Sequence, residues 1–357
     1  MENKMDIEKM GGSKVYITRY LGLYNKNYIE EPFRKKHKSF FGPDKIKNWG
    51  DNLFHYCTID TLKKITENKE AILRFSDVRF LNDTTEFQET VGLLKAIIES
   101  IRTSVDEELY SILADEKIFN ELNNYLQRYS FRRHIYDKDV IERLYPVCRV
   151  YTCSFSMDGD LLPMWNYYAQ GAGGVSVNFC GLEEYKKVDE KKEEGKDGEQ
   201  VKFIWGQVRY TEEEKKQCIE ALLNDIKELF LLVPDETCRR EMIQNLLVSA
   251  INKMRIFMKN ENFSTEKEYR AALIVPEENI RNAQLPANYR VGHFDRGNII
   301  IPYIDVPFAS ESITSIIVGP GIGEDFSFIR LGLEDWLLQK GLKNVEIYHS
   351  NIPMRKY

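Results

Sequence analysis

Short β-branched and aromatic runs recur from residue 53 to residue 348, and the amphipathic stretches of the chain are gathered between them. Such runs read as strands, because branched and aromatic side chains suit a pleated, half-buried surface. They fall at 53–57 (LFHYC), 72–75, 147–155 (VCRVYTCSF), 174–179 (GVSVNF), 201–209, 269–275, 298–304, 312–318 and 345–348. Helix is expected over 107–128, 137–144, 161–169, 212–232, 235–259 and 328–340, and also after Thr58 or Asp60, either of which can cap LKKITENK. Phe87, Val91, Leu94, Ile98 and Ile101 repeat in steps of four and three, the stripe of an amphipathic helix, and Asp83 and Glu86 ahead of it have capping-box spacing. Strands spread along the chain with helices clustered between them predict an α+β fold: a single mixed-sheet domain over residues 51–357 with helical insertions near 85–145 and 211–260. Residues 1–50, basic and turn-rich (FRKKHKSFFGPDKIKNWG), read as an arm laid over the surface, and 183–200 as a solvated charged loop.

Composition narrows the function classes. Lys and Arg number 50 against 56 Asp and Glu, a formal net charge of -6, so no global cationic field is available to grip a phosphate backbone. A nuclease ranks last for that reason, and because no metal cluster is visible. The six cysteines form no CxxC pair and have no partnering His cluster, which predicts reduced thiols and no metal. No stretch approaches the roughly 18–20 apolar residues of a membrane helix, and Met1–Lys14 lacks an apolar signal core, so the expectation is a cytoplasmic protein without a membrane partner. HExxH, GxSxG, GxxxxGK[ST] and a GxGxxG after a strand are all missing. The turn Val318-Gly319-Pro320-Gly321 suits an ordinary strand-to-helix connection, or a phosphate held on backbone amides.

Three segments carry candidate chemistry. His55 and Tyr56 lie on the first strand, where an imidazole can bond a ribose or serve the core. Ser154 and Ser156 end a strand and share one face, because strand side chains alternate. Glu266 and Glu268 flank Lys267 where the chain turns from helix into strand, and an extended backbone there would put both carboxylates on one face. Paired carboxylates suit cleavage of a glycosidic bond through an oxocarbenium-like state, one holding the ribose hydroxyl and the other steering the nucleophile. They equally suit a solvated turn paired with Arg270. Arg79 and Arg270 match a pyrophosphate in geometry, or pair with nearby carboxylates. Trp165, Tyr167 and Tyr168 read as packing, with Tyr168 one turn beyond Met164 and able to face a cleft.

In order along the chain, FHYCTIDTLKKI, RFSDVRFLNDTTEF, CSFSMDGDLLPMWNYYAQGAGGVSVNF and EKEYRAAL resemble the bacterial domain-of-unknown-function family 2971 over residues 53–275. More distantly, His55, Ser154-Phe155-Ser156 and Glu266-Lys267-Glu268 are similar in order to the ADP-ribosyltransferase superfamily, whose core lines a cleft for NAD. That resemblance implies that His55, with Tyr56, contacts the adenosine ribose or nicotinamide, that Ser154 and Ser156 support the cleft, and that Tyr167 or Tyr168 stacks on the nicotinamide ring. It further implies that Glu268 bonds the nicotinamide ribose and Glu266 orients an acceptor. The chain departs from the pattern by joining a His-type first strand to an Arg-type Glu-x-Glu element across long helices.

Two functions are therefore expected. The first is an NAD-consuming ADP-ribosyltransferase-like enzyme, with NAD as co-substrate and a protein, nucleic acid or water as acceptor, in a bacterial defence or toxin role. The second is a non-catalytic nucleotide- or protein-binding module of a bacterial defence or stress system. Convergence of Glu268, Ser154 and His55 in one cleft favours the first, and dispersal favours the second.

Overall fold

The computed structural model describes residues 52–81, 86–124, 148–182, 201–233 and 235–354. The expected arm over 1–50, the cap residues 82–85, the helix over 137–144 and the loop over 183–200 lie outside the described residues. The chain is mixed α/β; among the described residues ten strands form one sheet, accompanied by helices, and the chain divides into a sheet unit and a helical unit.

In the sheet unit β1 (Leu53–Cys57) leads into α1 (Ile59–Ile65), whose first turn is capped by the Thr58 hydroxyl accepting from Thr61 N at 3.1 Å. Then come β2 (Ala71–Asp77) and β3 (Cys148–Ser156). The helical unit contributes α2 (Glu86–Ser100), α3 (Glu107–Leu113) and α4 (Glu116–Asn124) between them. After β3 the sheet unit continues through α5 (Leu162–Tyr168), β4 (Val175–Phe179) and β5 (Lys202–Gln207). The helical unit then adds α6 (Glu212–Leu232) and α7 (Glu236–Met254). Back in the sheet unit lie β6 (Glu268–Pro276), α8 (Glu277–Arg281), β7 (Arg290–Arg296), β8 (Ile299–Phe308), β9 (Ile313–Val318), α9 (Phe326–Gln339) and β10 (Glu346–His349).

The strand order is β10-β9-β4-β1-β3-β2-β8-β7, with β6 and β5 joined through the other edge of β3. Every pair is antiparallel except β9 with β10, which α9 connects. One face of the sheet carries the main core: Leu53, Cys57, Phe75, Tyr151, Phe155, Val177, Tyr269, Leu273 and Phe308 pack with Leu62 of α1 and Leu333 and Leu337 of α9. Burial pushes the Cys57 thiol up to about 12, which makes it an inert core thiol. Among the described residues no helix is long and apolar enough to cross a membrane.

Three expectations differ in detail. The helix expected over 107–128 breaks at Asp115, whose carboxylate accepts Lys117 N at 3.0 Å and starts α4 afresh. The helix expected over 235–259 stops at Met254, because Arg209 N donates to Phe257 O at 2.7 Å and Lys259 N to Arg209 O at 3.0 Å. Strand β7 (RVGHFDR) was not expected: it lies at the edge of the sheet, is largely exposed and lacks the apolar alternation of a packed strand.

The chain leaves α5 through three consecutive residues in the left-handed region: Gln170 (φ 52), Gly171 (φ 62) and Ala172 (φ 72). For the two that carry a Cβ this conformation costs about 1–2 kcal/mol each. Backbone bonds hold it, from Ala172 N to Trp165 O at 3.0 Å, Gly174 N to Ala169 O at 2.8 Å, Gly319 N to Gly174 O at 2.9 Å and Gly321 N to Ala172 O at 3.0 Å. The amides of the Val318–Gly321 turn are thus spent on the chain itself, and the turn is an ordinary connection. A Cβ on Gly174 would lie 2.3 Å from Cys57 O. Gly174→Ala should therefore destabilise the protein by about 1–3 kcal/mol, as over-packing against backbone does; a urea midpoint unchanged from wild type would count against this.

Candidate functional site

Strand register decides which candidate side chains meet. Along β3 and β6, Ser154 stands opposite Arg270 and Ser156 opposite Glu268. Phe54 of β1 stands opposite Ser156. Directly opposed residues of an antiparallel pair point the same way, so Ser154, Ser156, Glu268, Arg270 and, two residues from Phe54, Tyr56 share one face. His55 points to the other face, among Leu53, Cys57, Phe155 and Val177, with its ring 5.9 Å edge-on from that of Phe155. Its Nδ1 donates to the Ser154 carbonyl at 3.0 Å, and burial lowers its pKa, so it is a neutral ring that ties two strands together.

On the opposite face the two glutamates meet, though not by the expected extended backbone. Glu266 ends a 3-10 helix (Glu261–Glu266) capped by Asn260, and Lys267 follows in the left-handed region at φ 47, ψ 47. This turn sends Lys267 outward, to Asp158 at 2.9 Å. Both carboxylates instead reach Lys259, Glu266 at 2.6 Å and Glu268 at 3.2 Å. Arg270 clamps Glu268 in two-pronged fashion, Nε at 2.6 Å from one oxygen and Nη2 at 3.0 Å from the other, while its Nη1 donates to Ile256 O at 2.7 Å. Lys259, Glu266, Glu268 and Arg270 are all buried, at 6%, 6%, 3% and 1% exposure. Two acids and two bases balance, as burial of charge requires.

Burial alone would raise the Glu268 pKa. The charges of Arg270 and Lys259, with hydrogen bonds from Arg270 and Ser154, outweigh it and hold the carboxyl at about 2. The backbone is tied in as well: Glu268 N donates to the Tyr210 hydroxyl at 2.8 Å, and Ser156 Oγ donates to Glu266 O at 2.8 Å. Burial, and then the Glu268 charge, push the Tyr210 phenol up. Ser156 is thus a fully buried tie between β3 and the turn, whereas the half-buried Ser154 stays at the edge of the cluster.

Helix α5 covers this face. Tyr168 is half-buried and donates to the free oxygen of Glu266 at 3.0 Å; Tyr167, next to it, is 79% exposed and turned away. Trp165 packs edge-on against Tyr56 at 4.8 Å and donates to Asp160 at 2.8 Å. Tyr56 donates to Asp158 O and accepts from Leu161 N, so it fixes the loop entering α5. Arg79 pairs with Asp77 at 2.6 Å. Among the described residues no group of three or more His, Cys, Asp or Glu side chains is placed to hold a metal.

Sequence reasoning missed Lys259 and Tyr210. The available signal was charge balance: two buried carboxylates beside one arginine require a second cation, and Lys267 is sent outward by its left-handed turn.

Residues 164–271 match the family described as protein of unknown function (DUF2971). The matched segment runs from α5 into β6 and so contains Tyr168, Tyr210, Lys259, Glu266, Glu268 and Arg270, but not His55, Ser154 or Ser156. It is shorter than the 53–275 span over which the residues suggested the likeness. No curated protein and no solved structure matches the chain. The likeness to ADP-ribosyltransferases finds no support in these comparisons.

Two predictions come from the geometry of residues 164–271. Lys259→Met leaves two buried carboxylates to one arginine and should destabilise the protein by about 3–5 kcal/mol, measured by urea unfolding. Because the Glu268 pKa is depressed in the folded chain, its stabilisation is present above the unfolded carboxyl value near ~4.5 and is lost as pH falls from there towards the folded value. Unfolding free energies of wild type and Glu268→Gln should therefore converge as pH falls through this window; parallel curves would contradict the ion-pair assignment.

Proposed function

We propose that the sheet unit is a non-catalytic binding module for a nucleoside-type ligand, one that joins a flat ring to a sugar diol. The commitment of Glu268 carries this reading. A carboxylate that acts on a glycosidic bond must turn an oxygen towards the substrate's ribose. Both oxygens of Glu268 are held by Arg270, one is also reached by Lys259, and the side chain is 3% exposed. The side chain of His55 points to the face of the sheet opposite Glu268 and Ser154, a dispersal that supports the module.

What this face can offer a ligand is the half-buried ring of Tyr168, the Glu266 oxygen on which its hydroxyl rests, and Ser154. An aromatic ring stacks on a base, and a carboxylate accepts from a diol once the tyrosine hydroxyl gives way. Glu268, Arg270 and Lys259 then act beneath, keeping Glu266 and its neighbours in place.

A second reading, an NAD-consuming transferase with a protein or nucleic acid as acceptor, is favoured by one observation: Glu268 is held ionised beside Ser154, on the face it shares with Glu266. One experiment separates the two. NAD and ADP-ribose are titrated into the protein by calorimetry, and free nicotinamide is followed by chromatography. The module should bind ADP-ribose, weaken at least about fivefold in Tyr168→Ala, and return NAD intact. Nicotinamide release that vanishes in Glu268→Gln would transfer the assignment to the enzyme, and absence of binding to either nucleotide would overturn the module.

A further inference from the structure

Helix α5 has little of its own to hold it in place. It is seven residues long, and the residue that opens it, Leu161, makes no side-chain cap. Two turns of helix are unstable alone in water, so the position of α5, and of Tyr168 at its end, is set by what packs on it. The left-handed exit fastens one end. A second fastening comes from the last residues of the described chain.

After β10 the chain makes one more rung with the sheet, Ser350 N to Val318 O at 2.9 Å, and then leaves it for α5. Asp160, in the loop that enters α5, receives it. One oxygen of Asp160 accepts both Trp165 Nε1 at 2.8 Å and Ser350 Oγ at 2.6 Å, and the other accepts Asn351 N at 2.8 Å. A single carboxylate thus ties the helix to the tail, through hydrogen bonds that its charge strengthens. Ser350 Oγ in turn accepts Ile352 N at 3.1 Å, which curls the tail over its own anchor.

Ile352 then packs against the small apolar cluster that Tyr56 forms with Met164, Trp165, Ala169 and Ala172. The ring of Tyr168 packs against the same cluster, while its hydroxyl donates to Glu266 at 3.0 Å. Pro353 and Met354, further on, are exposed. The tail therefore grips at two points, Asp160 and Ile352, and both bear on the body that carries Tyr168. The Tyr168–Glu266 bond is the contact a ligand has to displace, because the hydroxyl occupies the oxygen that would accept from a diol. Whatever favours the seated tyrosine opposes the ligand by the same amount.

We propose that residues 350–354 form a strap that keeps the Tyr168–Glu266 site closed, with Asp160 as its buckle and Ile352 as its peg. This rests on the reading of Tyr168 and Glu266 as the ligand-binding pair. With the strap on, Tyr168 is held on Glu266; with the strap off, α5 loosens and the carboxylate oxygen is open to a diol. Release of Asn351–Met354 breaks no rung of the sheet, so the strap can let go while the fold stays intact.

Hydrogen exchange read at α5, together with calorimetric titration of ADP-ribose, tests this in the full chain and two variants. A chain ending at His349 removes the strap outright, and Ser350→Ala with Ile352→Ser removes its side-chain grip while keeping every sheet residue. In both, the amides of residues 162–170 should exchange at least about tenfold faster while the β3–β6 ladder stays as protected as before. ADP-ribose should bind at least about threefold tighter. A tail with a merely structural role would loosen α5 and weaken binding. Unchanged exchange in α5 overturns the strap, and so does an affinity that stays level or falls. Faster exchange in α5 with no ADP-ribose bound by any form upholds the strap and removes the module, so the two failures are told apart.

Discussion

Strand β3 divides its two edges unequally, and the rest of the sheet follows from that division. One edge pairs with β6 along its whole length, from Cys148 opposite Pro276 to Ser156 opposite Glu268. The other edge is shared, with β2 taking Tyr151 and Thr152 and β1 taking Ser156. The uninterrupted β3–β6 ladder makes the register of Glu268 and Arg270 rigid. A one-residue slip would move these charges to the apolar side and Tyr269 to the polar one, so the hydrophobic core itself enforces the position of the ionic cluster.

The cluster is an unusual use of a sheet face. Charges so deeply buried rarely add net stability over apolar residues of the same shape, because desolvation offsets their attraction. What such a group does supply is definition. Lys259 comes from the link that follows the 3-10 turn Arg255–Phe257, Glu266 from a second 3-10 turn, Glu268 and Arg270 from β6, and the backbone carbonyl of Ile256 from the first of those turns. None of these segments can shift without leaving a charge without its partner, and α5 is drawn in through Tyr168.

The strands could be read in the sequence where alternation or branched residues announced them, and β1, β3, β4, β6 and β9 lie close to their expected positions. Strand β7 could not, since an exposed edge strand buries too little to leave a pattern. Helix ends were legible where a side chain caps them, as at Thr58, and illegible beyond α7, where backbone bonds tie Phe257 and Lys259 to Arg209. For the site, the shared face of Ser154 and Ser156 followed from alternation alone. Glu266 and Glu268 meet for a reason alternation does not carry, because the left-handed Lys267 brings them together where an extended backbone would otherwise be needed. Lys259 and the opposite orientation of His55 depend on long-range register, which one strand's own sequence does not carry.

The left-handed turn after α5 gives the sheet unit a second kind of fastening. Around Ala172, Gly174, Gly319 and Gly321, peptide groups lock onto peptide groups, with no titratable side chain taking part. At the Glu268 end the same unit is held by groups that respond to protons and to any neighbouring charge. One end is therefore chemically deaf and the other can listen, and a ligand that speaks through charge can be heard at only one of them.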